Sequence, residues 1–200
     1  MTVPRFGSPN RVVLASGSPR RHELLSQIGV PFIVRTPDID ESPTESEPPV
    51  DYVRRLASAK AAAVEAFSDE LVIAADTTVE IDGTILGKPR DEADAASMLR
   101  QLSGRTHRVH TGVAIRFDGL EHVDVCTTLV TFVTLDEAMI HWYVSTGEPL
   151  GKAGSYAIQG AGAALVSRID GSVSNVIGLP LHLAIELAVR RGVDLLATSR

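Results

Sequence analysis

Apolar residues recur along the chain with two periods, and together these periods predict an α/β protein. Continuous apolar runs over 11–15 and 71–75 are typical of central strands, whose two faces are both covered. We expect the second of these strands to end at Asp76-Thr77. Apolar residues at helical spacing predict a helix over 51–67. The face that we expect this helix to bury comprises Val53, Leu56, Ala57, Val64 and Phe67.

Turn and cap signals set the limits of further elements. Asp82-Gly83 between apolar pairs predicts a two-residue hairpin, so Asp82 is interpreted as a turn residue rather than a ligand. Asp91 is placed to cap a helix over 92–102, and Thr134 opens a capping box before a helix that ends at Ser145. The remaining predicted elements are strands over 31–35, 106–117, 122–133 and 163–169, and helices from Pro19 and over 181–191. With no internal repeat and no clear linker, we expect one domain over residues 1–200.

The composition is that of a globular protein with a core of its own. The chain has 200 residues, of which 44% are hydrophobic, and this suffices for a substantial core. A net charge of −6 argues against a broad nucleic-acid surface. The chain has no apolar run of about 18 residues that would cross a bilayer, and residues 1–10 lack the apolar region of a secretory signal. We therefore expect a cytoplasmic protein that binds neither nucleic acid nor membrane.

Some residues that often carry chemistry have ordinary explanations in this chain. Cys126 is the only cysteine, so it cannot form a disulfide within the chain, and its setting in Val-Asp-Val-Cys-Thr-Thr-Leu favours an ordinary strand residue over a nucleophile. His107 and His110 have opposite parity along their predicted strand, so they would point to opposite faces. We interpret both as structural or surface residues rather than as a shared metal site.

Arg20 and Arg21 stand at an unusual place, the first turn of a predicted helix. Ser16-Gly-Ser18 forms a tight turn before it, and Ser18-Pro19 has the chemistry of a helix start. The free N–H groups and the macrodipole at a helix start favour anions over cations. A solvated basic pair is the simple explanation of two such arginines. The turn in front of them favours an anion site instead, in which a phosphate would bind both guanidinium groups.

Further charged residues break apolar patterns or lie at the ends of elements. Lys60 falls within the apolar face of its helix, so it either extends past the packing to water or points into a cleft. Asp76 follows a buried strand, where a carboxylate is costly without a partner. Lys88 follows the hairpin, and Glu41 lies in an acidic, proline-rich loop where it is either solvated or a metal ligand. One pocket for a phosphate and Mg²⁺ would account for all of them.

Several motifs in order resemble those of the Maf family of nucleoside triphosphate pyrophosphatases. They are Ser16-Gly-Ser-Pro-Arg-Arg-His-Glu-Leu-Leu25, Ala75-Asp-Thr-Thr-Val79, Gly87-Lys-Pro-Arg-Asp91, Leu102-Ser-Gly-Arg-Thr-His107 and Ile177-Gly-Leu-Pro180. The resemblance covers nearly the whole chain. It implies a curved mixed sheet with flanking helices, in two lobes around a cleft, similar to the inosine triphosphatase architecture. It also implies hydrolysis of a nucleoside triphosphate to the monophosphate and pyrophosphate with a divalent metal, Mg²⁺ or Mn²⁺.

The loop Lys152-Ala-Gly-Ser-Tyr-Ala-Ile-Gln-Gly160 resembles that of the family branch that acts on dTTP and UTP. The resemblance implies that Gln159 selects the base, and a glutamine amide does offer a donor and an acceptor to the shared edge of thymine and uracil. It implies that Asp76 accepts a proton and that Glu41 helps to hold the metal with Asp76. The substrate-binding residues that it implies are Arg20 and Thr77 for specificity and Arg21, Lys60 and Lys88 for the phosphates.

Two expectations come from the family alone. One is a homodimer. The other is an alternative function, in which the protein binds a nucleotide and regulates cell division or septum formation without significant turnover. An acid at position 76 favours catalysis over this alternative, because a carboxylate that faces a polyphosphate gives a mere binder little advantage unless a metal intervenes.

Overall fold

The computed structural model describes residues 9–197, so most of the N-terminal stretch considered above lies outside the described part. Its strands are β1 (Arg11–Ala15), β2 (Phe32–Val34), β3 (Glu70–Ile81), β4 (Thr84–Leu86), β5 (Thr106–Phe117), β6 (Leu120–Phe132) and β7 (Val166–Asp170). Its helices are α1 (Pro19–Gln27), α2 (Pro49–Ala63), α3 (Glu92–Leu102), α4 (Glu137–Ser145), α5 (Val173–Ile177) and α6 (Leu181–Arg190). Two short 3₁₀ turns cover Ala153–Ser155 and Ala161–Leu165.

Within residues 9–197, seven strands form one mixed sheet. Its order is β2-β1-β3-β5-β6-β7, and β4 pairs with β3 beside this path. Strand β1 is parallel to both β2 and β3, whereas the β3–β4 and β6–β7 pairs are antiparallel. The predicted α/β class with a mixed sheet and helices is therefore confirmed. In the same described range, no helix is both long enough and apolar enough to cross a membrane.

The chain divides into two compact units. The first comprises the described residues of 1–76, 111–126 and 178–200, and the second comprises 77–110 and 127–177. This division accords with the two lobes that the family resemblance implies. The single domain over residues 1–200 and the cleft stay predictions.

In the first unit, α2 packs through small side chains. A buried cluster brings together Val13, Ala15, Ala57, Ala61, Val64, Val72, Ala74 and Ala114. Alanines on the helix allow its backbone to approach the strands closely. The approach is tightest at Gly112 of β5, where a Cβ atom would lie 2.2 Å from the carbonyl oxygen of Val53. Only glycine fits there, because a real Cβ does not come within that distance of a backbone atom.

Two element ends in the first unit differ from the prediction. Strand β3 does not end at Asp76-Thr77 but continues to Ile81, because the Asp76 carboxylate has a buried partner and is tolerated within the strand. Helix α2 ends at Ala63, and Val64 is already extended. Phe67, which the sequence places on the buried face, is 74% exposed, so that prediction is wrong. Arg116 donates a hydrogen bond to the carbonyl of Val64, and Arg35 donates one to the carbonyl of Glu65. These bonds satisfy backbone carbonyl groups where the helix ends.

The second unit confirms two predictions made from local signals and corrects another. Asp82 and Gly83 have φ angles of 52° and 78°, as a tight hairpin between β3 and β4 requires. Helix α3 begins at Glu92, and the side chain of Asp91 caps it by accepting from the Asp94 amide. Helix α4 does not begin with a cap by Thr134. Its cap is Asp136, which accepts from the amide of Met139 at 2.8 Å and brings the helix start two residues further along the chain.

Both histidines of β5 are buried within the second unit. The Nε2 atom of His107 lies 2.9 Å from the hydroxyl of Tyr156, and Nδ1 of His110 lies 2.8 Å from Oγ1 of Thr127. None of the described residues provides a hydrogen-bond partner for Nδ1 of His107. Burial lowers the pKa of His107 to about 4, because a charged imidazolium would lose its hydration in the core.

This burial predicts a loss of stability in mild acid. The pKa of His107 is lower in the folded protein than in the unfolded chain, so the unfolded chain binds a proton first as the pH falls. The contribution of His107 to the stability of the fold is therefore complete above about pH 6.5 and is lost as the pH falls towards 4. At 1.36 kcal/mol per pKa unit, the free energy of unfolding should fall by about 3 kcal/mol over this window. We expect His107→Gln to remove most of this dependence, measured by urea unfolding at pH 7 and pH 4.5. The exposed His141, replaced by glutamine, is the control, and an equal pH dependence in the two variants would contradict the prediction.

Candidate active site

A buried lysine joins two carboxylates in the first unit. The Nζ atom of Lys60 lies 2.6 Å from Oδ1 of Asp76 and 2.6 Å from Oε1 of Glu41. The side chains of Lys60 and Asp76 are only 8% and 9% exposed, whereas that of Glu41 is 43% exposed. Of the two interpretations of Lys60, the structure therefore supports a side chain that points inward to charged groups. Ala57 and Ala61 of the same helix are also buried.

The surroundings of Asp76 make its carboxylate more basic than usual. Burial raises its pKa, and the cations of Lys60 and Arg21 offset this only in part. A carboxylate that is held near cations yet largely removed from water can accept a proton from a substrate-bound water more readily than an exposed aspartate. Its position in the middle of β3 fixes it on a rigid element.

Arg21 donates hydrogen bonds to a backbone carbonyl and to a side-chain hydroxyl. Its Nε donates to the carbonyl of Gly178 at 2.7 Å, and its Nη1 donates to Oγ of Ser16 at 3.2 Å. The same Ser16 hydroxyl accepts from the amide of Ser18, which forms the turn before α1, while the side chain of Ser18 makes no cap. These two hydrogen bonds orient the guanidinium group. Burial lowers the pKa of Arg21, as does the neighbouring Arg20, while Asp76 opposes the change.

The acidic loop before α2 is ordered by two side chains of that helix. The hydroxyl of Tyr52 donates to the carbonyl of Glu41 at 2.9 Å, and Arg55 donates to the carbonyl of Ser42 and to the carboxylate of Glu47. The hydrogen bond from Arg55 lowers the pKa of Glu47 to about 2, and burial together with nearby carboxylates raises that of Tyr52 to about 12. Glu41 thus lies beside Lys60 in a loop that is anchored at Glu41 and at the residues that follow it.

Sequence reasoning missed Ser16, Tyr52 and Gly178 as contributors to this site. Tyr52 had a usable signal, because it lies two helical turns before Lys60 on the same predicted helix. Ser16 and Gly178 lie within recognised motifs, but they contact Arg21 through a hydroxyl and a backbone carbonyl, which no pattern of side chains reveals.

The structure brings together part of the predicted set. Glu41, Lys60 and Asp76 are in contact, and Arg21 interacts electrostatically with Asp76. The remaining predicted residues of the second unit are Thr77, which is partly buried in β3, Lys88, which is exposed after β4, and Gln159, which is exposed between the two 3₁₀ turns. Their roles stay predictions.

The donors present fit a hard divalent cation. Carboxylate oxygens are the ligands that Mg²⁺ prefers, and this ion commonly takes one or two carboxylates and fills its other positions with water and substrate phosphates. Asp76 and Glu41, which converge on the same ammonium group, are such a pair. Among residues 9–197 no cluster of three or more His, Cys, Asp or Glu side chains would form a complete protein cage.

Comparison with known proteins extends these observations. The family described as "Maf-like protein" matches residues 11–190. The chain is 53% identical over 189 residues to a dTTP/UTP pyrophosphatase of Anaeromyxobacter dehalogenans (strain 2CP-C), covering 92% of this chain and 96% of that protein. It is 50% identical over 185 residues to a dTTP/UTP pyrophosphatase of Myxococcus xanthus (strain DK1622), covering 92% and 94%. The solved Ham1 protein of Staphylococcus aureus shares 18% identity with a TM-score of 0.45, over 62% of this chain and 72% of that one. Nothing follows from so partial a similarity.

Proposed function

The chain belongs to the family of Maf-like proteins, and on that premise we propose that it hydrolyses dTTP and UTP to the nucleoside monophosphate and pyrophosphate. The observation that carries this proposal is the buried contact of Lys60 with Asp76 and Glu41. It places a carboxylate with a raised pKa beside cations. Hydrolysis of a polyphosphate uses both, the carboxylate to accept a proton and the cations to balance phosphate charge. The substrates are those named for relatives that are about half identical to this chain over most of its length.

In the proposed reaction, water attacks the α-phosphorus. A bond forms between the water oxygen and this phosphorus, while the bond from the phosphorus to the oxygen bridging to the β-phosphate breaks and pyrophosphate leaves. The proton lost by the water passes to Oδ of Asp76. Burial supports this assignment, because it raises the pKa of Asp76 towards the range in which a carboxylate is an effective general base.

Cations would balance the charge of the triphosphate. We assign this role to Arg21, Lys60 and Lys88. Arg21 is the best supported of them, since Ser16 and Gly178 already orient its guanidinium group and it lies within electrostatic range of Asp76. Arg20 and Thr77 are assigned to specificity by the family resemblance.

Glu41 and Asp76 would hold the divalent metal, Mg²⁺ or Mn²⁺. Such an ion, when bound with the substrate, neutralises phosphate charge and lowers the pKa of a coordinated water. The chain brings the two carboxylates close together, because both contact the ammonium group of Lys60. The hydrogen bond from Tyr52 to the backbone carbonyl of Glu41 anchors Glu41 there.

Gln159 would distinguish the bases. Its amide can donate to O4 and accept from N3–H, which are common to uracil and thymine. Cytosine presents the reverse order of donor and acceptor at this edge, and purines present a different shape. The exposed side chain of Gln159 is available for such a contact.

A nucleotide panel tests the proposal. UTP, dTTP, CTP, ATP and GTP are incubated with the protein and Mg²⁺ or Mn²⁺, and the products are separated by ion exchange. We expect pyrophosphate with UMP or dTMP, and slower turnover of the other nucleotides. Release of orthophosphate, or a preference for purine nucleotides, would contradict the proposal. Tight binding of UTP without turnover would instead support the regulatory alternative.

A homodimer and a cytoplasmic location stay expectations from the family and the sequence.

A further inference from the structure

A single carboxylate in the second unit holds the loop that contains Gln159. Glu148 follows helix α4, and its Oε1 accepts from the hydroxyl of Tyr143 at 2.8 Å and from the amide of Gly162 at 2.9 Å. Its Oε2 accepts from the amide of Ala161 at 2.9 Å. One side chain thus satisfies two successive backbone amides just after Gln159.

The same network reaches the other side of Gln159. The Tyr143 hydroxyl, which donates to Glu148, also accepts from the amide of Ala157 at 3.1 Å. Amides at 157, 161 and 162 are therefore all bound to this pair of side chains, and they bracket Gln159 in the sequence. The backbone around Gln159 is fixed, whereas its side chain is exposed.

The loop is built closely around the carboxylate. A Cβ atom at Gly160 would lie 1.9 Å from Oε2 of Glu148, and one at Gly162 would lie 2.7 Å from the hydroxyl of Tyr143. Glycine at these positions is what permits the backbone to come so near. Partial burial raises the pKa of Glu148, but the bonds from Gly162, Tyr143 and Ala161 outweigh this and lower it. The acceptor is therefore ionised at neutral pH, and bonds to an ionised acceptor are the stronger kind.

We propose that Glu148 is a positioning residue for base selection: it fixes the loop of residues 157–162 so that the amide of Gln159 meets one pattern of donor and acceptor. This inference rests on the proposed function. A rigid loop presents the amide of Gln159 to the base from one position, in which it can be matched to the uracil edge. A glutamine on a loosened loop can shift and also accept the cytosine edge, so selectivity falls even though no group that contacts the base has changed.

The test is Glu148→Gln, which keeps the shape of the side chain but presents an amide group where backbone N–H donors converge. We expect the ratio of kcat/KM for UTP to that for CTP to fall by about tenfold, mainly through a higher KM for UTP. The inhibition constant of inorganic tripolyphosphate against UTP hydrolysis should change less than about twofold, because tripolyphosphate has no base for Gln159 to contact. Hydrogen exchange of the Ala161 and Gly162 amides should become faster in the protein without nucleotide.

A second variant, and the same Glu148 variant in a protein without the Gln159 amide, distinguish a positioning role of Glu148 from a general structural role. Tyr143→Phe removes the hydroxyl bonds to Glu148 and Ala157 and should lower the same ratio, which keeps the test valid if Glu148→Gln does not fold. In a Gln159→Ala background, Glu148→Gln should leave the ratio unchanged, because the amide that it positions is gone. An equal loss of kcat/KM for UTP and CTP would overturn the inference, as would faster amide exchange with unchanged selectivity. Wild-type protein that releases no pyrophosphate from UTP would instead refute the proposed function itself.

Discussion

Asp76→Asn is expected to slow the release of pyrophosphate from UTP by about 10²- to 10⁴-fold, the range that general base catalysis contributes. The amide keeps the size of the side chain but cannot take the proton from the attacking water. If Asp76 also holds the metal, the loss lies at the upper end of the range. Steady-state assays with UTP and Mg²⁺ measure kcat and KM separately, and we expect the greater part of the effect in kcat.

The control for this variant is Asp51→Asn, which removes an exposed carboxylate of α2 that pairs with Arg54 at 3.6 Å. Its activity should match that of the wild type. Because Asp76 also balances the charges of Lys60 and Arg21, thermal unfolding of each variant is recorded, and the assays are made at a temperature at which both are folded. Full activity of a folded Asp76→Asn protein would remove Asp76 as the base and would leave the Lys60 contact with a structural role only.

The elements that sequence alone predicted correctly are those with local causes. Helix α3 begins after Asp91 because the cap and the amide that it binds are three residues apart. The hairpin at Asp82-Gly83 depends on the backbone freedom of two adjacent residues. By contrast, α2 ends at Ala63 where Arg35 and Arg116, distant in sequence, bind the carbonyl groups that follow it. No pattern within the helix contains that information.

The candidate site divides in the same way. Lys60 and Asp76 are visible in the sequence because each is a charge in an apolar pattern, and the contact between them explains both exceptions. The loop from Glu41 to Glu47 is recognisable only as acidic, since its order comes from Tyr52 and Arg55 on the following helix. Glu148 is invisible for another reason. A glutamate after a helix is usually solvated, and only the folded loop shows that its oxygens meet backbone amides.

Gly112→Ala should be among the most destabilising single substitutions in the first unit. The added Cβ would lie 2.2 Å from the oxygen and 2.6 Å from the carbonyl carbon of Val53, and both are backbone atoms that move only if α2 moves. We expect the free energy of unfolding, from urea titration, to fall by at least about 4 kcal/mol. Displacing α2 also displaces Lys60, so activity should fall in any folded fraction.

Gly87→Ala is the matched control, because its Cβ would meet nothing within 4 Å. Equal stability of these two variants would show that α2 does not pack against β5 as closely as this glycine implies.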